Sequence, residues 1–216
     1  MITPYNPPIG PLKLIEVTAD WMLVDKPSGL LSVPGRGAEK ADCLQARLKQ
    51  EFGEALTVHR LDMETSGVMV FARTPKAQSI LSSAFENREV EKSYEAVVWG
   101  EVSEVAGEIN LPLIADWPNR PRQKVCHETG KASVTQWHVR EHLGGRTRLG
   151  LTPITGRSHQ LRVHLLAIGH PILGDSLYGE DEVRNSAPRL LLHATQLRFA
   201  PRADMVIPIG VSAAPF

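Results

Sequence analysis

The stretch His59-Arg-Leu-Asp-Met-Glu-Thr-Ser-Gly67 runs directly into the apolar segment Val68-Met-Val-Phe-Ala72. Thr, Ser and Gly favour turns, and an unbroken apolar run with β-branched residues is typical of a buried strand. The pattern therefore predicts a tight loop that holds Asp62 beside a rigid strand, which suits the presentation of a carboxylate to a ligand. The alternative is that Asp62 only caps the turn through its side-chain oxygens.

The segments around this loop predict more strands than helices. Thr74 is a candidate N-cap with Pro75 at the first helical position, so a helix follows the strand. A second helix is predicted from about Arg157 to Ile168, with Thr155 as its cap. Because the predicted strands mostly follow one another, the fold class is α+β, with a mixed, mostly antiparallel sheet flanked by helices. The other predicted strands lie at residues 21–24, 94–102, 133–139, 146–152, 190–199 and 205–209.

The composition indicates one globular domain. The chain has 216 residues, 42% hydrophobic and 22% charged, which is enough apolar material for a buried core. We expect a Pro-rich N-terminal arm at residues 1–11 and one domain at residues 12–216. The two cysteines, Cys43 and Cys126, match no zinc spacing, and no signal peptide or membrane-spanning run is recognisable. We therefore expect a reduced, cytoplasmic protein.

The net charge is zero, but the charges are unevenly distributed. Residues 116–165 include nine basic and three acidic residues, whereas residues 80–115 include two basic and seven acidic ones. Arg outnumbers Lys 16 to 8, and the planar guanidinium is the better group for bidentate contacts with phosphate. The basic segment is therefore either a nucleic-acid contact or a solvated basic face.

A basic loop stiffened by proline, Asp116-Trp-Pro-Asn-Arg-Pro-Arg-Gln-Lys124, begins this segment. Its cationic side chains, Arg120, Arg122 and Lys124, could follow phosphates while the aromatic residue stacks on an unpaired base. The alternative is a solvated surface loop.

The first turns of the second predicted helix contain four side chains with hydrogen-bond donors: Arg157, His159, Gln160 and Arg162. These donors would add to the positive N-terminus of the helix and make an anion site. A metal site is not expected, because His159 and His164 are five residues apart, whereas a helical His pair that shares an ion is four apart.

Tyr94 lies in a strand-like segment, residues 92–100, on the same face as Ala96 and Val98. It is either a core residue or an aromatic ring that faces a ligand. Neither a Gly-x-Ser-x-Gly turn nor a Gly-rich phosphate loop occurs, so the sequence indicates no nucleotide cofactor.

Together these segments resemble the RluA-type family of pseudouridine synthases. The family's His-Arg-Leu-Asp-x-x-Thr-Ser-Gly motif is complete at residues 59–67. Its Lys-x-Tyr-x-Ala-x-Val-x-Gly strand lies at 92–100, and its Gly-Arg-x-His-Gln-Leu-Arg segment lies at 156–162. Lys26-Pro-Ser-Gly-Leu30 and Arg189-Leu-Leu-Leu-His-Ala194 also match. The chain departs from the pattern at Asp25, where relatives often have Asn, and at Ala200, where His is common.

The resemblance implies the catalytic domain of the pseudouridine synthase fold, without the S4 RNA-binding domain of many relatives. It implies that uridine is isomerised to pseudouridine with Asp62 as the essential carboxylate, which either attacks the sugar or removes a sugar proton to give a glycal. Arg162 is expected to form an ion pair with Asp62, which would favour the ionised carboxylate. Tyr94 is expected to stack on the flipped uracil and to help remove the C5 proton.

The resemblance also implies contacts with RNA. Arg60 is expected to fill the gap left by the flipped base, and His59 to shape the loop at the RNA surface. The match through residues 116–131 and at Asn6-Pro-Pro8 implies stem-loops of 23S rRNA and tRNA as substrates. No cofactor or metal is required, because the isomerisation is redox-neutral, and we expect a monomer.

Three alternatives remain open from the sequence. The first is a synthase of the same family with a different single rRNA target. The second is an RNA-binding protein without catalytic activity. The third is another carboxylate enzyme such as a glycoside hydrolase, for which Glu64 is the only local candidate for a second carboxylate.

Overall fold

The computed structural model describes residues 5–201 and 208–216. In these residues the α-helices are α1 (Leu44–Phe52), α2 (Pro75–Glu86), α3 (Gln160–Ala167) and α4 (Asp181–Asn185). The first strands are β1 (Lys13–Val17), β2 (Trp21–Lys26), β3 (Leu56–Thr57), β4 (Ser66–Ala72), β5 (Val90–Trp99) and β6 (Ala106–Asn110). The remaining strands are β7 (Leu113–Ala115), β8 (Gln123–Val125), β9 (Val134–His142), β10 (Arg146–Pro153), β11 (Leu192–Phe199) and β12 (Ile209–Val211).

The chain divides into two compact units. The first consists of residues up to Lys92 together with Ala194–Pro215, and the second of Ser93–His193 with Phe216. The boundaries between the units therefore fall within β5 and within β11. The α+β class predicted from the sequence is confirmed.

In the first unit the strand order is β1-β2-β4-β11, with β3 on β4 and β12 on β11. The pairs β1/β2, β2/β4, β3/β4 and β11/β12 are antiparallel. Helix α2 packs its buried residues Ala77, Leu81 and Ala84 against a core that includes Val70 of β4. The predicted cap of α2 is confirmed, because the Thr74 hydroxyl accepts the Ala77 N–H at 3.1 Å.

In the second unit the strand order is β5-β10-β9-β6, and each neighbouring pair is antiparallel. Helix α3 covers this sheet with Leu161 and Leu165, which join the cluster around Ala96, Val98 and Leu149. Strands β7 and β8 form a separate two-stranded hairpin, and Leu113 of β7 also makes an isolated antiparallel bridge with Lys131.

The predicted start of the second helix is wrong. Helix α3 begins at Gln160, and the residue before it, His159, has a left-handed φ of 53°. Thr155 does not cap the helix, because its hydroxyl donates to the Gln160 side chain at 2.7 Å and accepts the Val134 N–H at 2.9 Å. The strand predicted at 205–209 lies partly outside the described residues, and Ile209 begins β12.

Candidate active site

The loop that carries Asp62 ends at β4, whose seven residues are all buried. Gly67 adopts a φ of 116°, and a Cβ at this position would overlap the backbone of Ala194 on the adjacent strand. Only glycine fits such a conformation and such a close approach without strain. The end of the Asp62 loop is therefore anchored to the buried part of the first unit.

A second loop, residues 26–32, holds the backbone on both sides of Asp62. The Lys26 ammonium, which is fully buried, donates to the carbonyls of Met63 (2.9 Å), Leu30 (2.7 Å) and Pro27 (2.9 Å). Such multiple hydrogen bonds are what a buried charge requires.

Two serines bind the same backbone, and with Lys26 they form what we call the backbone clamp. The Ser28 hydroxyl donates to the Glu64 carbonyl at 2.6 Å, and the Ser32 hydroxyl donates to the Leu61 carbonyl at 2.7 Å. In the sequence, Lys26-Pro-Ser-Gly-Leu30 is recognisable only as a match to the family. The clamp itself was missed, although a lysine directly after an apolar strand is a signal that it is held by the fold.

The side chains of the Asp62 loop are more accessible than its backbone. Asp62 is partly exposed, Arg60 is exposed, and Met63 is 39% exposed. The first unit thus presents a carboxylate, a cation and an apolar side chain from one rigid loop.

His59 is held by its own ring contacts. Its Nε2 accepts the Val70 N–H at 3.1 Å, and its ring stacks on Phe85 with centroids 4.6 Å apart. Burial of this partly accessible ring, with a smaller contribution from the Lys92 ammonium, lowers the pKa of His59 to about 3. These contacts support the loop-shaping role, whereas a contact of His59 with RNA stays a prediction.

Acidification is expected to destabilise the protein through His59. Because its pKa is lowered on folding, the unfolded chain binds a proton below pH 6.5 that the folded chain does not bind. The contribution of neutral His59 to the free energy of unfolding is complete above pH 6.5 and is lost as the pH falls toward 3. For one group, the free energy of unfolding falls by at most about 1.4 kcal/mol per pH unit. Urea unfolding at pH 7.5, 6.5 and 5.5 measures this loss.

The matched variants for this experiment are His59→Gln and His127→Gln, the latter on an exposed loop. His59→Gln should flatten the dependence below pH 6.5, whereas His127→Gln should keep it. Some dependence should remain in both variants, because burial also lowers the pKa of His164. An identical pH profile for His59→Gln and the wild type would contradict this assignment.

In the second unit, Tyr94 of β5 lies opposite Leu151 of β10 and packs, partly buried, against the core of that unit. Arg162 is 2% exposed and forms a bidentate ion pair with Asp175, Nε–Oδ2 2.8 Å and Nη2–Oδ1 2.5 Å. Asp175 also accepts the N–H groups of Leu177 and Tyr178, each at 3.0 Å. The predicted ion pair of Arg162 with Asp62 would join residues of different units and stays a prediction.

Asp175 was not predicted from the sequence. Its signal was indirect: an arginine among the apolar residues of a buried helix requires a carboxylate partner. Asp175 follows Gly174, whose positive φ of 73° and close approach to the Arg189 backbone place the carboxylate after the turn.

Gln160 is a structural residue and not an anion ligand, contrary to the prediction. Its Oε1 accepts from the Thr155 hydroxyl and from the Arg157 N–H at 2.9 Å, and its Nε2 donates to the Thr135 hydroxyl at 3.0 Å. Arg157 and His159 lie in the turn before α3 and not in its first turns, and Arg157 is exposed. The accessible donors of this segment therefore belong to the turn.

Residues 116–122 of the basic loop form the tip of hairpin β7–β8, and Lys124 lies in β8. Trp117 is 65% exposed, and the Arg120 guanidinium lies 4.1 Å from the centroid of its ring. Arg122 and Lys124 are also exposed, and the Lys124 ammonium lies 3.7 Å from Asp116. The hairpin thus presents three cations and an indole to solvent.

Within residues 5–201 and 208–216, no group of three or more His, Cys, Asp or Glu side chains is arranged to hold a metal ion. Over the same ranges, every helix is too short or too polar to cross a bilayer.

Comparison with known proteins establishes the class. The sequence model of the RNA pseudouridylate synthase family matches residues 20–167. The chain belongs to this family and is an enzyme, a pseudouridine synthase that isomerises uridine in RNA.

Its similarity to particular members extends over nearly the whole chain. The dual-specificity RNA pseudouridine synthase RluA of Escherichia coli (strain K12) is 55% identical over 195 residues, which are 89% of each chain. The protein of the same name from Pasteurella multocida (strain Pm70) is 49% identical over 197 residues, 90% of each chain. The resemblance seen in the motifs is therefore confirmed.

Solved structures agree with this assignment. Human RNA pseudouridylate synthase domain containing 1 has a TM-score of 0.82 at 29% identity, covering 95% of this chain and 84% of the human chain. Human RNA pseudouridylate synthase domain containing 4 has a TM-score of 0.73 at 24% identity, covering 94% and 88%. The latter is a likeness of fold.

Proposed function

We propose that this pseudouridine synthase modifies specific uridines in stem-loops of both 23S rRNA and tRNA, including the anticodon loop. The observation that carries this proposal is the 55% identity, over 89% of both chains, to a relative named for dual specificity. We further propose that residues 12–216 are the catalytic domain and that the enzyme acts as a cytoplasmic monomer.

In the proposed reaction Asp62 acts on the ribose of a flipped uridine while the N1–C1′ bond breaks. The freed uracil rotates, C5 bonds to C1′, the C5 proton leaves with help from the Tyr94 hydroxyl, and N1 takes up a proton, so that the product is an isomer of uridine. Arg162 is proposed to pair with the Asp62 carboxylate. The backbone clamp of Lys26 and Ser32 supports this role, because it fixes the chain on which Asp62 stands.

RNA is proposed to contact two groups of accessible side chains, most of them cationic. Arg60 is next to the catalytic carboxylate and takes the place of the flipped base, which leaves its stack at a cost of a few kcal/mol. The second group consists of the hairpin and the turn before α3: Arg120, Arg122, Lys124, Arg157 and His159.

Mapping of pseudouridine in the rRNA and tRNA of cells with and without this gene tests the substrates. We expect sites to disappear from both RNAs, and the purified enzyme should restore them in transcripts of the same stem-loops. Loss from a single rRNA site would replace dual specificity with the single-target alternative. Binding of both RNAs without any product would favour the RNA-binding alternative, and RNA containing 5-fluorouracil should then form no adduct.

The hairpin cations are expected to contribute to affinity through phosphate contacts. Replacing Arg120, Arg122 and Lys124 together by Ala should weaken binding of all stem-loops and make the salt dependence shallower. The slope of log K against log salt should fall by about 2, since each phosphate contact in a single strand contributes about 0.7. Filter binding at several salt concentrations measures the slope.

The control removes three exposed cations from helices elsewhere: Lys49, Lys76 and Arg184. This variant has the same net charge as the hairpin variant, so a general loss of charge would lower both slopes equally. Equal slopes in the two variants would contradict a specific role of the hairpin.

A further inference from the structure

Tyr178 lies where the hairpin, the turn before α3 and Arg162 meet in the second unit. It is 5% exposed. Its hydroxyl accepts the Gln123 N–H, at the start of β8, at 2.7 Å and lies 2.7 Å from Nδ1 of His159. One phenol oxygen thus joins the two segments that carry the predicted RNA contacts.

The ring of Tyr178 contacts two guanidinium groups. The Arg162 guanidinium is 5.2 Å from the ring centroid, and the Arg122 guanidinium is 5.3 Å from it. Both distances are within the range of a cation–π attraction. The ring therefore contacts one arginine of the hairpin and one arginine of the proposed catalytic set.

The backbone of Tyr178 is tied to the same ion pair. Its N–H donates to Oδ1 of Asp175, the carboxylate oxygen that also binds Nη2 of Arg162. A shift of Tyr178 would therefore move the carboxylate that orients Arg162. The ring thus contacts the Arg162 guanidinium directly, and the backbone N–H acts on the same guanidinium through Asp175.

The hairpin needs such an attachment. A two-stranded hairpin alone is marginally stable in water. Among the described residues, β7–β8 joins no larger sheet, and Leu113 adds one isolated antiparallel bridge with Lys131. Its apolar residues Leu113 and Val125 pack with Tyr178 and with Val163 of α3. Tyr178 is the polar link within this small apolar cluster.

We infer that Tyr178 is a positioning residue that joins hairpin β7–β8 and the turn before α3 into one surface for RNA phosphates and couples this surface to Arg162. The hydroxyl fixes the position of the hairpin relative to the turn before α3, whereas the ring and the backbone N–H fix the orientation of the Arg162 guanidinium. The inference rests on the proposed function, since it assumes that the hairpin and the turn contact RNA.

Two substitutions separate these effects. Tyr178→Phe keeps the ring and removes the hydroxyl, so KM for a stem-loop should rise about tenfold for two lost hydrogen bonds, with kcat within about twofold. The salt slope should also become shallower, as in the hairpin variant. Tyr178→Leu removes the ring as well, so kcat should fall about tenfold or more in addition.

Tyr5→Phe is the matched control. The Tyr5 hydroxyl also has two hydrogen bonds, to the Asp42 carbonyl (2.9 Å) and from the Leu31 N–H (3.1 Å), in the first unit. Urea unfolding should show a similar loss of stability for Tyr5→Phe and Tyr178→Phe. Only Tyr178→Phe should change KM and the salt slope.

The outcomes distinguish the two proposals. Wild-type enzyme that neither binds nor modifies the stem-loops would overturn the proposed function. Active wild type with Tyr178→Phe indistinguishable from Tyr5→Phe in KM and slope would overturn the inference alone. So would a fall in kcat for Tyr178→Phe as large as that for Tyr178→Leu.

Hydrogen exchange in the wild-type protein gives a second test if the variants fail to fold. The Gln123 amide should be protected to the same degree as the amides of α3, because Tyr178 ties the two together. Exchange of Gln123 at the rate of an open loop would contradict the coupling.

Discussion

Asp62→Asn is expected to reduce pseudouridine formation by about 10³-fold or more while RNA affinity changes less than about twofold. The substitution keeps the size of the side chain and removes only the ionisable oxygen. Ser32 donates a hydrogen bond to the Leu61 carbonyl, and Lys26 donates one to the Met63 carbonyl. Because these bonds do not involve the Asp62 side chain, the loop should keep its conformation. A catalytic carboxylate acts in the transition state, and its loss therefore lowers kcat and not binding.

Single-turnover kinetics and filter binding on one stem-loop measure both quantities. Glu64→Gln is the matched control, because Glu64 is a carboxylate two residues away whose carbonyl is held by Ser28 at 2.6 Å. Glu64→Gln should stay within about threefold of wild type. If both variants lost activity equally, Asp62 would not be the single essential carboxylate, and Glu64 would share its role in pseudouridine formation.

Asp175→Ala is expected to lower the free energy of unfolding by about 3–5 kcal/mol, the usual effect of breaking a buried ion pair by removing one partner. Arg162 and Asp175 are 2% and 1% exposed, so the variant leaves the Arg162 guanidinium buried without its carboxylate partner. The N–H groups of Leu177 and Tyr178 lose their acceptor in the same variant. The protein that still folds should have lost most of its kcat, because Arg162 is no longer oriented.

Urea unfolding monitored by tryptophan fluorescence measures the change in stability. Asp181→Ala is the control, since Asp181 also pairs with an arginine, Arg184 at 3.1 Å, but is 88% exposed. Exposed pairs contribute little, and this variant should unfold at nearly the wild-type urea concentration. A similarly small change in Asp175→Ala would show that the buried pair is dispensable.

Local patterns were sufficient for the elements around the site. The polar loop before β4 and the Thr74 cap of α2 both follow from rules that act over a few residues, and the structure contains both. The start of α3 was misplaced because Gln160 binds Thr155 and Thr135, and the second contact spans 25 residues. A capping rule that considers only neighbouring residues cannot account for a hydrogen bond to such a distant residue.

The residues that support the site are linked over still longer distances along the chain. Lys26 and Met63 are 37 residues apart, and Gln123 and Tyr178 are 55 apart. A single sequence shows the polar residue but not the distant residue with which it forms a hydrogen bond. For this reason the residues proposed to contact substrate were found from motifs, whereas the residues that hold them, such as Asp175, were found only from the structure.

The loop around Asp62 is fastened by its carbonyl oxygens, which every amino acid possesses. Ser28 binds the backbone of Glu64, and Lys26 binds that of Met63, without regard to either side chain. Substitutions at positions 63 and 64 that keep the backbone conformation are therefore expected to leave these hydrogen bonds in place. Natural variation, or a library that randomises these two positions, is therefore expected to change the side chains beside Asp62 while Asp62 keeps its position.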